Sequence, residues 1–166
     1  MESQRILLRK WSPGDYSLLA KNLNDKEIAF GLGTQYPYSE QDAKCYIEDA
    51  ISKNKEKYAI VFKENGEIIG GCGIHLFENR ASTNIWIAKS YQRIGLGTEA
   101  LKLLSSYCFS KYEVDRIENV FFSENLASQK MQEKIGVVVQ MQEEPTVVNG
   151  EPRIKKFGIL TKIELK

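Results

Sequence analysis

The residues best suited to chemistry lie in one short segment, Gln92-Arg93-Ile94-Gly95-Leu96-Gly97-Thr98, between a predicted strand and a predicted helix. Glycine at two positions lets backbone N–H groups approach a ligand closely. The first turn of the helix would add free N–H groups and a positive dipole end, and Arg93 would add a full positive charge. Such a strand–loop–helix segment is typical of a site for phosphate or pyrophosphate.

The glycine spacing also invites comparison with two other phosphate-binding loops. A P-loop is excluded because it needs Lys and then Ser or Thr after its second glycine, where this chain has Thr98-Glu99. The dinucleotide fingerprint G-x-G-x-x-A is met by residues 95–100, and Asp115 follows at about the spacing of a ribose-binding acid. However, Asp115 precedes a predicted strand instead of following one, and the loop comes after an antiparallel meander. A nucleotide-binding oxidoreductase is therefore the weaker alternative.

Three polar residues outside this loop are also candidates for chemistry. Asn125 and Ser128 lie at the start of a predicted helix over 125–136, whose Ala127 is expected to face inward. An asparagine at this place can cap the helix, and Ser128 would then lie in its first turn. His75 is the only histidine of the chain, lies on a predicted strand and titrates near neutral pH.

Hydrophobic periodicity and turn signals predict the elements that must position these residues. Strands are predicted at 6–11, 58–63, 68–77, 81–88, 117–122, 137–141 and 155–163, and helices are predicted to start near Ser12, Ser39, Thr98 and Asn125. Asn65-Gly66 predicts a hairpin turn between the second and third strands. The order β-α-α-β-β-β-α-β-α-β-β indicates a mixed α/β sheet and not a regular doubly wound fold.

Length and composition limit the class of protein. The 166 residues suit one domain spanning 1–166. A net charge of +1 supplies no basic field for nucleic acid or an anionic membrane, and no apolar run suits a spanning helix. Three widely spaced cysteines and one histidine favour neither disulfides nor a metal site. Buried thiols and a cytoplasmic location are expected, with no nucleic acid, membrane or metal as partner.

Five stretches of the chain resemble the GNAT acetyltransferases, and most closely their RimJ/RimL-like branch. QRIGLG matches the Q/R-x-x-G-x-G/A motif of that family. The other four stretches occur in the family's order: ILLRKWSPGD, YPYSEQDAKCYI, NGEIIGGCGI and ENLASQKMQEKIG. The resemblance covers nearly the whole chain and implies a central, mostly antiparallel sheet with two splayed strands, flanked by helices.

The same resemblance implies an enzyme that moves an acetyl group from acetyl-CoA, its cosubstrate, to a primary amine by direct attack in a ternary complex. Residues 92–98 would bind the pyrophosphate, and the pantetheine arm would add to a freed strand edge. That edge maps onto Ile85, Trp86, Ile87 and Ala88. Asn125 would hydrogen-bond the arm, and Ser128 would protonate the departing thiolate. A homodimer is compatible with the family.

The chain departs from the family at two positions that bear on proton transfer. Ser82 stands where relatives often carry a glutamate as general base, and Gln132 stands where other branches carry a tyrosine. His75 is then a candidate base, and direct loss of the amine proton to water is an equal alternative. Because both groups are missing, a catalytically silent acyl-CoA-binding module is a second alternative function.

The acceptor is expected to bind between the early helices, about 25–50, and the last hairpin, about 137–160. Carboxylates and tyrosines on these surfaces suit a cationic amine. They are Glu27, Tyr36, Tyr38, Glu40 and Asp42 on one side, and Glu143, Glu144 and Glu151 on the other. The sequence leaves open a protein N-terminus, a polyamine, an aminoglycoside or another small amine.

Overall fold

The computed structural model describes residues 1–166, which form a seven-stranded sheet with five α-helices. The strands are β1 (Ile6–Lys10), β2 (Lys57–Phe62), β3 (Ile68–Leu76), β4 (Arg80–Ile87), β5 (Arg116–Phe122), β6 (Val138–Val148) and β7 (Glu151–Thr161). The helices are α1 (Tyr16–Leu23), α2 (Lys26–Leu32), α3 (Glu40–Ser52), α4 (Leu96–Lys111) and α5 (Leu126–Lys134). The mixed α/β architecture predicted from the sequence is confirmed.

The sheet is antiparallel except where β4 meets β5. Its strand order is β1-β2-β3-β4-β5-β7-β6. β4 and β5 run parallel and pair only through Arg80 with Arg116 and Ala81 with Ile117. Beyond these pairs the two strands separate, as the resemblance implied, and the gap between them opens a cleft.

The sheet separates two hydrophobic cores, one on the face covered by α4 and α5 and one on the face covered by α1, α2 and α3. Strand β2, the second strand of the sheet, contributes to both cores. Tyr58 and Ile60 belong to the α4/α5 core, whereas Ala59 and Val61 belong to the α1–α3 core. This division follows from the alternation of side chains along a strand, and it identifies which face each cleft residue occupies.

Helix α2 is an addition to the predicted order, which had only two helices before the second strand. Asp25 caps it by accepting the N–H groups of Glu27 and Ile28 at 2.9 and 3.1 Å. Gly33 ends it in the left-handed region, with φ of +66°. Both cap signals stand in the sequence, but seven residues with Gly31 inside them carry too little periodicity to predict a helix.

The last hairpin is longer than predicted. β6 and β7 have 11 residues each, and only Asn149 and Gly150 separate them, with φ of +52° and +80°. Positive φ at both positions is the requirement of a tight hairpin turn. Pro145 and its polar neighbours do not fit the pattern of a buried strand, so the sequence predicted a loop there. β6 is an edge strand, and edge strands tolerate proline and need no apolar alternation on their exposed side.

The structure also bears on the cysteine, metal and membrane predictions. Cys72 and Cys108 are buried as expected, but Cys45 is exposed on α3, so the prediction of three buried thiols is wrong at that position. No group of three or more His, Cys, Asp or Glu side chains is arranged to hold a metal ion. None of the helices combines the length and the apolar composition needed to cross a bilayer.

Candidate active site

A cleft of about 690 Å³ occupies the gap between β4 and β5. Its walls come from these two strands, from the loop after β4, and from α2, α4 and α5. Most residues predicted to contact the cosubstrate line this cleft. They are Ile85, Trp86, Ile87, Gln92, Arg93, Gly95, Gly97, Thr98, Asn125 and Ser128.

The inner end of the gap is closed by a side chain instead of a strand ladder. The buried amide oxygen of Asn119 on β5 accepts the Thr83 backbone N–H at 2.8 Å and the Thr83 hydroxyl at 3.0 Å. The Thr83 N–H therefore points toward β5. By strand alternation, the backbone polar groups of Ile85 and Ile87 point the same way. β5 does not pair with them. The Ile87 carbonyl accepts from Gln92, so β4 offers both polar groups of Ile85 and the Ile87 N–H as a free edge to an extended ligand.

Trp86 and Ala88 do not share this free edge. The Trp86 carbonyl turns toward β3, where it lies close to Gly70, and its indole belongs to the α1–α3 core. The Ala88 N–H donates to the Ile69 carbonyl of β3 at 2.7 Å. The predicted edge of four residues is therefore reduced to Ile85 and Ile87, because alternate residues of β4 pair with β3.

The loop after β4 leads into a helix whose first N–H groups have no side-chain cap. Asp25, Ser39 and Asn125 cap α2, α3 and α5 by accepting backbone N–H groups, whereas the residue before α4 is Gly95. Gly95 adopts φ of +88° and Arg93 adopts φ of +65°, both in the left-handed region. Glycine adopts this region without strain, but Arg93 does not, and strained backbone at a non-glycine residue is common where a loop is shaped around a ligand.

Contacts from distant parts of the chain hold this loop in place. Gln92 Nε2 donates to the Ile87 carbonyl at 2.8 Å, and Arg5 donates to the Ile94 carbonyl at 3.0 Å. Arg5 also forms an ion pair of 2.6 Å with Glu99 in the first turn of α4. No local pattern indicates this role for Arg5, because it depends on contacts between the segment at the start of β1 and α4.

Two residues of the predicted loop set do not line the cleft. The Ile94 side chain is exposed outside it, and Leu96 is fully buried in the α4/α5 core. Leu96 therefore anchors α4 through its side chain while its backbone N–H belongs to the uncapped first turn.

Helix α5 presents Asn125 and Ser128 to the cleft. The Asn125 amide oxygen caps the helix by accepting the Ser128 N–H at 3.0 Å, which leaves its amide NH₂ for another partner. The Ser128 hydroxyl accepts a hydrogen bond from Gln132 Nε2 at 3.2 Å. Its own O–H therefore remains available as a donor. Ala127 is exposed and lines the cleft, so the prediction that it faces inward is wrong.

His75 lies outside the cleft. Its Nε2 is 3.3 Å from the side-chain nitrogen of Asn84, which does line the cleft. Partial desolvation and then the charges of Lys57 and Lys55 lower the pKa of His75. The ring is therefore neutral at pH 7, but the structure does not bring it into contact with the space that the other candidates surround.

Helix α2 forms the opposite wall, which the sequence interpretation missed except for Glu27. Ile28, Gly31 and Leu32 line the cleft. Glu27 forms an ion pair of 2.9 Å with Lys89, which lies just beyond β4. This pair links α2 to the end of β4 across the opening of the cleft. On the α5 side, Lys130 and Lys134 line the cleft together with Arg93 of the loop, and these three side chains favour a polyanionic ligand.

The sequence pattern of the acetyltransferase (GNAT) domain matches residues 5–138. The chain belongs to the GNAT acetyltransferase family. The Bacillus subtilis protein YjdG, named as an uncharacterized N-acetyltransferase, is 31% identical over 127 residues, which are 69% of this chain and 73% of YjdG. As a GNAT member, the protein is an acetyl-CoA-dependent N-acetyltransferase.

Solved GNAT structures share the fold over almost the full length. A putative ribosomal-protein-serine acetyltransferase from Vibrio cholerae is 26% identical, with a TM-score of 0.80 and coverage of 96% of this chain and 95% of that chain. Spermidine N-acetyltransferase from Vibrio cholerae, solved in complex with CoA and spermine, is 19% identical, with a TM-score of 0.83 and 98% of each chain covered. The GNAT recognition from the five sequence stretches is confirmed.

The GNAT fold also explains why the dinucleotide fingerprint misleads. The residues before it form β4, the last strand of an antiparallel β2-β3-β4 meander. Asp115 lies just before β5, and its N–H bonds the carbonyl of Asn79 at 3.0 Å. β4, α4 and β5 do form one parallel βαβ unit. A dinucleotide site also needs its acid at the carboxyl end of a strand and further parallel strands beside it, and here the acid precedes β5 and β4 belongs to an antiparallel meander.

Proposed function

We propose that this GNAT protein transfers the acetyl group of acetyl-CoA directly to a primary amine within a ternary complex. One observation carries the proposal: the uncapped N-terminus of α4 and the free edge of β4 line the same cleft. A phosphate-bearing ligand with an extended arm needs both features. The acceptor class consists of small amines and protein N-termini, since the two structural relatives are named for a polyamine and a ribosomal protein.

The residues of the cleft fit acetyl-CoA at three places. Backbone N–H groups of Leu96, Gly97 and Thr98 would hold the pyrophosphate at the positive end of α4. A Cβ at Gly97 would lie 3.0 Å from the sulfur of Met131 and fill this cradle. The edge of β4 would bind the amide groups of the pantetheine arm as a further strand would, and the free amide NH₂ of Asn125 would bind one of its carbonyls.

The catalytic work falls to few groups of this chain. Acetyl-CoA supplies the acetyl group as a thioester. An N–H of Ile85 or Ile87 stabilises the negative charge that develops on the carbonyl oxygen. The Ser128 O–H donates its proton to the departing sulfur and regains a proton from the water that takes up the amine proton, so the reaction ends with free CoA thiol and a neutral serine. Gln132 orients the hydroxyl by donating a hydrogen bond to its oxygen. The amine proton leaves to water, because His75 lies outside the cleft.

Thermal unfolding with ligands tests the cofactor half of this proposal. Acetyl-CoA at about 100 times its dissociation constant adds roughly 2.7 kcal/mol, which raises Tm by several degrees for a protein of this size. NAD and ATP at the same concentration are expected to leave Tm unchanged. A shift with NAD and none with acetyl-CoA would contradict the proposal.

Release of free CoA thiol with a panel of primary amines tests the catalytic half. We expect thiol release that depends on both the enzyme and the amine. A protein that is stabilised by acetyl-CoA but releases no thiol with any amine would instead be a silent acyl-CoA-binding module.

A further inference from the structure

The carboxylates that the sequence suggested for a cationic acceptor lie away from the cleft, with one exception. Glu40 and Asp42 belong to the first turn of α3, where Asp42 bonds Ser39. Glu143 pairs with Lys156 at 3.3 Å on the last hairpin. None of these side chains, nor Tyr36, Tyr38, Glu144 or Glu151, lines the cleft. The prediction of a carboxylate-lined opening is therefore not met by the structure.

The two carboxylates that do line the cleft already have partners. Glu27 forms its ion pair with Lys89. Asp25 uses its side chain to cap α2 through the N–H groups of Glu27 and Ile28. The cap uses only the Oδ1 atom of Asp25, so this carboxylate is the one negative charge of the cleft that no cation pairs. A polyamine carries a positive charge on every nitrogen, and beyond Asp25 its charges would meet no other unpaired carboxylate here.

The acceptor side of the cleft is apolar instead. Strand alternation places Val120 and Phe122 of β5 on the face opposite Asn119. Phe122 contacts the end of α2, since its ring lies 3.1 Å from the Cβ position of Gly33. Trp86 and Leu32 also pack against the α1–α3 core. With Ile28, these side chains form the apolar wall of the acceptor side: Ile28, Leu32, Trp86, Val120 and Phe122.

An ion pair between Arg153 and Glu124 lies directly behind this wall. The guanidinium of Arg153, buried in β7, lies 3.3 Å from the Phe122 ring and 3.8 Å from the Phe30 ring. One of its nitrogens is buried without a partner, while another pairs with Glu124 at 2.5 Å. The Glu124 carboxylate is therefore already paired and offers no free negative charge to a second amine on the acceptor. Val120, by contrast, is 50% exposed although it lies within a strand, and it offers apolar surface to a ligand.

We propose that the natural acceptor is a small primary monoamine carried on an uncharged, apolar body, aliphatic or aromatic, and not a polyamine. This inference rests on the proposed acetyltransferase function and assigns its substrate class. The apolar body of the acceptor packs against the apolar wall, and the single amine of the acceptor reaches the acetyl group at the gap between β4 and β5. Each buried methylene should then raise kcat/KM about fourfold, the equivalent of about 0.8 kcal/mol.

The test measures kcat/KM by thiol release with saturating acetyl-CoA and the full chain. The amines are butylamine, hexylamine, 2-phenylethylamine, putrescine, spermidine and a polar tripeptide with a free N-terminus. Hexylamine is expected to exceed butylamine, and 2-phenylethylamine to exceed spermidine by about tenfold or more. A higher kcat/KM for spermidine, putrescine or the peptide would overturn the inference and leave the proposed function standing. No thiol release with any amine would overturn both.

A pair of valine variants locates the effect on the apolar wall. Val120→Glu is expected to lower kcat/KM for 2-phenylethylamine by about tenfold or more, because its carboxylate would meet the apolar body of the amine. The rise in Tm that acetyl-CoA causes in this variant should equal that of the wild type. The same measurement shows that the variant is folded. Val147→Glu is the matched control, since Val147 is 69% exposed on β6 and does not line the cleft. Equal activity of the two variants would overturn the assignment of this wall.

Discussion

The two glycines of the loop at residues 92–98 serve different physical purposes. Gly95 adopts φ of +88°, which a residue with a Cβ reaches only with strain. Gly97 has no such requirement, and its importance is space, since a Cβ there would meet Met131 and Ile87 at 3.0 and 3.4 Å. The sequence motif shows both as glycine and does not distinguish a conformational need from a steric one.

At the residue scale, Gly97→Asp is expected to abolish acetyl-CoA binding. The added carboxylate would occupy the pyrophosphate position and repel the phosphates. Isothermal calorimetry measures the loss, and circular dichroism reports folding. Gly14→Asp is the matched control, because Gly14 lies in the short 3-10 turn Pro13–Asp15 before α1 and nothing lies within 4 Å of its Cβ position. Wild-type affinity in a folded Gly97→Asp protein would remove this loop from the cofactor site.

Ser128→Ala is expected to lower kcat by about a hundredfold while the dissociation constant of acetyl-CoA stays nearly unchanged. The reason is that the Ser128 N–H, which bonds the Asn125 cap, remains, and only the donated hydroxyl proton is lost. Ser110→Ala is the control, since that hydroxyl bonds the Tyr107 carbonyl within α4 at 2.9 Å. Equal kcat values for the two variants would mean that Ser128 does not donate a proton in the reaction and serves only as part of α5.

At the element scale, the cleft exists because β4 and β5 stop pairing after two residue pairs. The Asn119 side chain replaces the next rung of the ladder and satisfies the Thr83 N–H. It allows the strands to separate without leaving that buried donor unpaired. The width of the cleft therefore depends on one buried amide.

Asn119→Ala is expected to destabilise the protein by about 1–3 kcal/mol or more, because it leaves the Thr83 N–H buried without an acceptor. Thr83→Val removes only the hydroxyl bond, and it should cost about 0.5–1.5 kcal/mol. Chemical denaturation gives both free energies of unfolding. Equal losses in the two variants would mean that the backbone bond adds little at this junction.

At the scale of the whole molecule, paired carboxylates link the N-terminal segment to the helices. Asp15 directly precedes α1, and it is buried beside Arg9 of β1. Burial alone would raise the pKa of Asp15, but hydrogen bonds from Arg9 and Ser12 outweigh it, so the pKa is lowered. The folded state therefore stabilises the ionised carboxylate more than the unfolded state does. As a result, Asp15 adds to the free energy of unfolding at pH values above the ordinary Asp pKa of about 3.9.

The contribution of Asp15 should therefore be lost as the pH falls below about 4 through its lowered pKa. Asp15→Asn is expected to be less stable than the wild type at pH 7, with the difference shrinking as the pH is lowered through this range. Free energies of unfolding at pH 7, 5, 4 and 3 test this. Glu78→Gln serves as the control for removal of an exposed charge. A difference that does not change with pH would show that Asp15 acts through packing alone.

The sequence was a good guide wherever local chemistry decides the structure. Capping residues such as Ser39 and Asn125, the Asn65-Gly66 turn and the alternation in β2 and β4 all act within a few residues. The phosphate-binding loop is equally local, because its N–H groups and glycines are consecutive. For this reason the strands before the last hairpin, the loop and the family were predictable from the sequence.

Only the tertiary structure decided which groups surround the cleft. Arg5 supports α4 through Glu99, 94 positions later, and Asn119 bonds Thr83, 36 positions earlier. The acidic side chains expected at the acceptor site project elsewhere, while α2 and β5 supply an apolar wall. The physical reason is that periodicity determines which face of an element is buried, whereas the partner of that face depends on how distant segments pack together.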